Sequence, residues 1–156
     1  MKLGFLTFML ICCNALFSQE RLNVLVSVNN NVAGSLNLSN SSLLVNNDTI
    51  KLVYKMGRFE IDANDLMKLK NCNKDEDIFL NFSFFETCPS QKTYSFKLKL
   101  KLDLLLQEYL FLKVYNFSSF PTAFINKTGY GFEFVSPIGS SVLPKNKKRI
   151  NHTCSD

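Results

Sequence analysis

Tryptophan is missing from this chain, histidine occurs once, glycine six times and proline four. Each scarcity closes off a class of chemistry. Nucleophilic catalysis usually needs a histidine beside a hydroxyl or thiol, and the one histidine, His152, falls in the last five residues. Together with Cys154 it offers two metal ligands, short of the three or four that a zinc site takes. Without tryptophan, a sugar-stacking platform would rest on Phe and Tyr, and alternating Phe in strands is far more often core. No glycine-rich phosphate loop occurs, because Gly129 in GYGF lies between a loop and a strand and not before a helix. Asp75, Glu76 and Asp77 lack the alternate spacing and glycine of a calcium loop and read as a polar turn. No catalytic, cofactor-binding or metal-ligating residue is therefore nominated, and no cofactor is expected. Converging carboxylates would make a small secreted hydrolase the enzymatic alternative. Solvent-facing positions, however, account for the acids inside apolar strands, Glu60, Glu86 and Glu133.

Long apolar runs are also absent. The longest, from Leu3 to Phe17, is broken by Gly4, Thr7 and Asn14, and is shorter than the roughly 20 residues that span a bilayer. With Lys2 before it and Ser18, Gln19 and Glu20 after it, it reads as a secretory signal peptide over residues 1–18. Cleavage after Ala15 is the alternative, and no stable transmembrane anchor is expected after removal. Taking 18 residues from 156 leaves 138, enough for one domain with a real core. The leader takes Lys2 and no acid, so 17 basic groups then face 13 acidic ones. Most of the excess is Lys145, Lys147, Lys148 and Arg149, in a basic, flexible tail over residues 145–156. The body is nearly neutral, which gives no reason to expect a nucleic-acid partner.

The leader also removes Cys12 and Cys13, leaving Cys72, Cys88 and Cys154. An odd number permits at most one internal bridge. A strand over Asp77 to Thr87 would hold Cys72 and Cys88 tens of ångströms apart, against roughly 6 Å between bridged Cα atoms, so three reduced thiols are expected.

What the chain does have is a period of two. Tyr94, Phe96, Leu98, Leu100 and Leu102 alternate with Lys97, Lys99 and Lys101, giving a strand with a basic solvent face. EYLFLKVYN, from Glu108, is apolar on both faces, as in a more deeply covered strand. The two are expected to pair as a central hairpin across a polar-tipped turn at Asp103 to Glu108. Earlier, LNVLVSV from Leu22 turns at Asn29, Asn30 and Asn31 and pairs with GSLNLS from Gly34. SLLV from Ser42, TIKLVYK and RFEID follow, with a turn at Asn46 to Asp48 and another at Gly57. Asp62 or Asn64 caps a short helical turn, ANDLMKLKN, with Leu66, Met67 and Leu69 toward the sheet. DIFLNFSFFET puts Ile78, Leu80, Phe82 and Phe84 on one face, and YGFEFV is the last clear strand. Seven to nine strands and one helical turn predict an all-β fold: a single β-sandwich over residues 19–144 with an immunoglobulin-like layout, a barrel being the alternative.

Asn-X-Ser/Thr triplets begin at Asn37, Asn40, Asn47, Asn81, Asn116, Asn126 and Asn151. In a eukaryotic secretory pathway they would mark a glycoprotein; an asparagine-rich composition also generates them by chance. The leader ending ALFSQ and the runs TCPSQKTYSFKLKLK and QEYLFLKVYNF resemble those of small exported all-β proteins of Bacteroidetes bacteria, over the leader and residues 76–135. The resemblance implies a periplasmic or surface-exposed β protein and carries over no functional residues. The expectation is an exported, non-enzymatic binding or structural module of the bacterial envelope. It would act through a sheet face or an edge strand on a protein or glycan partner, with its binding residues and oligomeric state unassigned. A secreted, N-glycosylated eukaryotic protein is the rival.

Overall fold

The computed structural model describes residues 20–87, 91–121, 123–124 and 127–145. The expected leader, Cys88, Asn126, Asn151, His152, Cys154 and the tail beyond Lys145 lie outside them. In chain order the strands are β1 (Glu20–Leu22), β2 (Val24–Val28), β3 (Asn31–Val32), β4 (Leu38–Val45), β5 (Asp48–Lys51) and β6 (Val53–Lys55). After β7 (Arg58–Ile61) and helix α1 (Ala63–Asn71) come β8 (Asp77–Glu86) and β9 (Lys92–Lys101). A one-turn helix α2 (Leu102–Leu105), β10 (Leu110–Asn116), a 3-10 turn (Phe117–Ser119), β11 (Tyr130–Ser136) and β12 (Gly139–Ser141) complete the elements of the described residues.

The fold is all-β and sandwich-like. A five-stranded sheet, β12-β11-β10-β2-β3, and a four-stranded sheet, β5-β4-β8-β9, are both open. A small third sheet, β1-β7-β6, is fed from both of them: the chain passes from β1 to β2 at Asn23 and from β5 to β6 at Leu52. These two one-residue breaks split runs that read as single strands, which accounts for two of the strands beyond the seven to nine expected. Apolar residues of all three sheets meet in one core, including Val26, Leu43, Phe59, Leu80, Leu98 and Leu112. Within it the Tyr54 hydroxyl accepts hydrogen bonds from the amides of Val26 (3.3 Å) and Gly57 (3.2 Å), tying the small sheet to β2.

Asparagine sets two of the hairpins. Asn29 and Asn30 join β2 to β3 at φ 52° and 69°, and Asn46 and Asn47 join β4 to β5 at 49° and 72°. Two consecutive left-handed residues suit the right-handed twist of the flanking strands, and asparagine tolerates them.

Three expectations of pairing and orientation need correction. β9 and β10 do not form a hairpin: β9 pairs with β8, and β10 lies between β11 and β2. The connection is not polar-tipped, since Leu102 and Leu105 are buried in the core, so it carries the chain from one sheet to the other. Nor does the segment from Gly34 return along β2. That place is taken by the two residues of β3, and Leu38–Val45 joins β8 in the opposite sheet. Met67 does not lean on the sheet but is 57% exposed, because it lies 100° around the helix from Leu66. The basic face of β9 is as expected: Lys97, Lys99 and Lys101 point to solvent while Phe96, Leu98 and Leu100 are buried.

Helix α1 is capped by Asp62, whose Oδ1 accepts from the Asn64 amide at 2.8 Å. With nine residues it is too short to persist alone, so this cap and the burial of Leu66 and Leu69 hold it. Asp62→Ala is expected to cost about 1 kcal/mol, read as a lower urea midpoint with an unchanged slope. A cost below about 0.3 kcal/mol would mean that packing alone sets the helix start.

Candidate functional site

The outward face of the four-stranded sheet carries an array of unburied polar side chains in ordered strands. Its composition follows from period two: with Leu43, Ile50, Leu80, Phe82, Phe96 and Leu98 turned inward, the alternate residues must face water. Register then aligns them in rows. Lys51, Ser42, Asn81 and Lys97 lie side by side across β5, β4, β8 and β9. Thr49, Leu44, Phe79 and Lys99 form the next row, and Ser39, Ser83 and Ser95 flank the first on its other side.

Within this face the polar groups are only lightly committed to one another. Asn81 Nδ2 donates to Ser42 Oγ at 3.4 Å, and the Ser83 and Ser95 hydroxyls are 3.3 Å apart. Between β4 and β8 the register slips from Ser39 to Ser42, and Asn40 takes φ 51°. This bulge opens a shallow depression of about 300 Å³, lined by Asn40, Asn81, Ser83, Ser95, Lys97 and Tyr130. Tyr130 comes from the other sheet. Its hydroxyl donates to the Lys97 carbonyl at 2.8 Å and accepts from the Lys97 amide at 3.0 Å. That satisfies the outward backbone groups of an edge strand at its middle, where a further strand would otherwise pair.

The charges of the face fall into two groups. Lys99 and Lys101 both contact Asp77, at 2.7 and 2.9 Å. The hydrogen bond from Lys99, then that from Lys101, holds the Asp77 carboxyl below its ordinary value. Lys97 instead lies over the Phe79 ring, 4.5 Å from its centroid. Of the acidic run considered for calcium, Asp77 is thus spent on lysines, while Asp75 lies in a turn that its backbone amide closes by donating to Asn73 Oδ1. No group of three or more His, Cys, Asp or Glu that could hold a metal ion occurs among the described residues.

A second cleft, of about 290 Å³, lies between the β4–β5 turn and α1. On its helix side Lys68 pairs with Asp65 at 2.8 Å and the Cys72 thiol donates to the Lys68 carbonyl at 3.3 Å. Cys72 forms no disulfide.

The acids expected on solvent faces are a further correction. Glu86 and Glu133 are each only 8% exposed, and the Glu60 side chain only 10%, held by Lys55 and Arg58. Glu86 accepts from the Tyr94 hydroxyl at 3.0 Å. Glu133 sits on the outward face of the five-stranded sheet, where it accepts from the Tyr115 hydroxyl (3.3 Å) and the Leu143 amide (3.2 Å) and pairs with Lys145 (3.0 Å). Sequence missed this because that face has its own cover: Phe120 and Phe124 pack against Tyr115, and Phe117 against Phe124. The only signal was the phenylalanine in the β10–β11 connection. Lys145, the first residue of the expected tail, is anchored here.

The triplet asparagines differ in availability. Asn40 and Asn47 are exposed, whereas Asn37 donates to the Phe85 carbonyl, Asn81 to Ser42, and Asn116 caps the 3-10 turn. Among the described residues no helix is long and apolar enough to cross a membrane. No protein-family model, curated protein or solved structure matches the chain.

Proposed function

We propose that this chain is an exported, non-enzymatic binding module of a bacterial envelope that takes its ligand on the outward face of β5-β4-β8-β9. The observation that carries this reading is the cross-strand row Lys51, Ser42, Asn81 and Lys97 beside the depression at Asn40. Four ordered strands hold the backbone beneath these groups in fixed register, so little backbone order remains to be imposed on binding. The Glu133 site, covered by phenylalanine, offers fewer free donors.

Lysine acetylation footprinting of the mature chain in the presence of isolated envelope material tests the face. Lys51 and Lys97 should be protected, and Lys113, on the five-stranded sheet, should not. Protection of Lys113 with Lys51 and Lys97 unchanged would move the ligand to the opposite face and sink the proposal.

The rival reading, a secreted glycoprotein, is favoured by one observation, the exposed triplet asparagines Asn40 and Asn47. Hexose-bearing increments in the intact mass of native material would establish it. A bare mass beginning at Gln19 would support the exported bacterial module.

A further inference from the structure

We infer that the ligand of this face is an acidic polysaccharide, a polymer whose sugar rings carry carboxylate or sulfate groups. The inference rests on the reading of the face as the binding surface. The outward positions of the four strands hold four lysines, Lys51, Lys97, Lys99 and Lys101, against one carboxylate, Asp77. Lys99 and Lys101 share that carboxylate and keep one positive charge between them, so two of the three uncompensated charges sit on Lys51 and Lys97. These two close the ends of one row. Three interstrand steps of roughly 4.8 Å put them about 14 Å apart, with a hydroxyl from Ser42 and an amide from Asn81 between. An extended polymer laid along the row meets an ammonium at each end and neutral donors and acceptors in the middle.

Phe79 decides between sugar classes. A neutral sugar gains much of its affinity by laying an apolar ring face on an aromatic side chain, but the Phe79 ring already carries the Lys97 ammonium at 4.5 Å. A neutral ring would have to displace that cation. An anionic ring pairs with it and leaves the contact in place. The neighbouring depression, at about 300 Å³, is at the small end of ligand sites. Its small serines and asparagines present hydroxyl and amide groups that can exchange hydrogen bonds with sugar hydroxyls. Nucleic acid is less suited, since the outward positions hold no arginine and one of their two aromatic rings, Phe79, lies under Lys97.

Titration calorimetry of the mature chain with polygalacturonate, dextran, poly-L-glutamate and single-stranded DNA tests this. Polygalacturonate should bind with an affinity that falls as salt rises, and the other three about tenfold more weakly or not at all. A Lys51→Ala/Lys97→Ala double variant should lose about tenfold for polygalacturonate, and Lys113→Ala should lose nothing. Equal binding of poly-L-glutamate or DNA would make the face a general polyanion surface and overturn the saccharide assignment. Equal binding of dextran would overturn the acidic one. Either result leaves the face standing if the double variant still loses binding. Polygalacturonate binding that survives the double variant and falls in Lys113→Ala would overturn the face itself. Failure of polygalacturonate, hyaluronate and alginate to bind overturns the inference alone, the footprint at Lys51 and Lys97 remaining the separate test of the face.

Discussion

Phe82→Ala should lower the stability of the domain by about 4 kcal/mol and move the urea midpoint down by about 2 M. Phe82 is 2% exposed at the middle of β8. Its ring lies 5.3 Å from that of Phe96, which in turn meets Tyr130 edge-on at 5.2 Å. Truncation removes apolar area from the core and leaves a cavity that two strands in a fixed ladder cannot close, and both terms add. Against a total stability of about 5–15 kcal/mol the loss is a large fraction. It should also loosen the Tyr130 bridge, so the depression above it should bind less well even where the protein remains folded. Phe85→Ala is the control: same residue type, same strand, three positions on, but turned outward and 40% exposed. It should cost less than about 1 kcal/mol. Comparable midpoints for the two variants would mean that the alternation of β8 does not divide core from surface.

That pair of phenylalanines also marks how far sequence reaches. Which face of β8 or β9 is buried follows from alternation, because a period of two admits only two assignments, and Asn81 and Ser83 in β8 and the lysines in β9 choose between them. Turns at Asn29–Asn30 and Asn46–Asn47 were legible for a local reason, the tolerance of asparagine for positive φ. Partnership was not. Alternation in β9 and the two-faced apolar run of β10 say that each is a strand but are silent on whether they meet. Their separation became visible only in the leucines of the link, where Leu102 and Leu105 are buried. A turn tip would have kept such residues in water.

The candidate site shows the same division. The lysine row of β9 could be read directly, and its exposure is as expected. The alignment of Lys97 with Asn81, Ser42 and Lys51 depends on the registers of three strand pairs and on a bulge near Asn40, none of which leaves a mark in a single strand's sequence. Asn81 had been notable only as part of a glycosylation triplet. Its place at the centre of the row is a tertiary fact.

Glu133→Ala should cost about 2 kcal/mol, read as a fall in melting temperature of about 5–10 °C. Little of this comes from the ion pair itself, because the Lys145 side chain is 43% exposed and water screens it. The larger part comes from the Tyr115 hydroxyl and the Leu143 amide, which lose their shared acceptor beneath the phenylalanine cover. Glu133→Gln, which keeps an acceptor oxygen, should cost less than half as much. The same site gives the protein an alkaline limit. Burial, then the charge of Glu133, raises the Tyr115 hydroxyl above its ordinary value of 10.0. Burial works against the Lys145 ammonium, but its hydrogen bond to Glu133 and its contact with Tyr115 outweigh this and raise it above 10.5. Both groups hold their protons more tightly when folded, so the unfolded chain binds fewer protons in this range and stability falls as pH rises. Their contribution should be complete below about pH 9, start to decline near pH 10 and be lost as pH passes through the raised folded values. Melting temperatures of the parent and Glu133→Gln should therefore converge between about pH 9 and pH 11. A gap that stays constant across that interval would show that Glu133 acts as a neutral hydrogen-bond acceptor and that its charge does nothing for Tyr115 or Lys145.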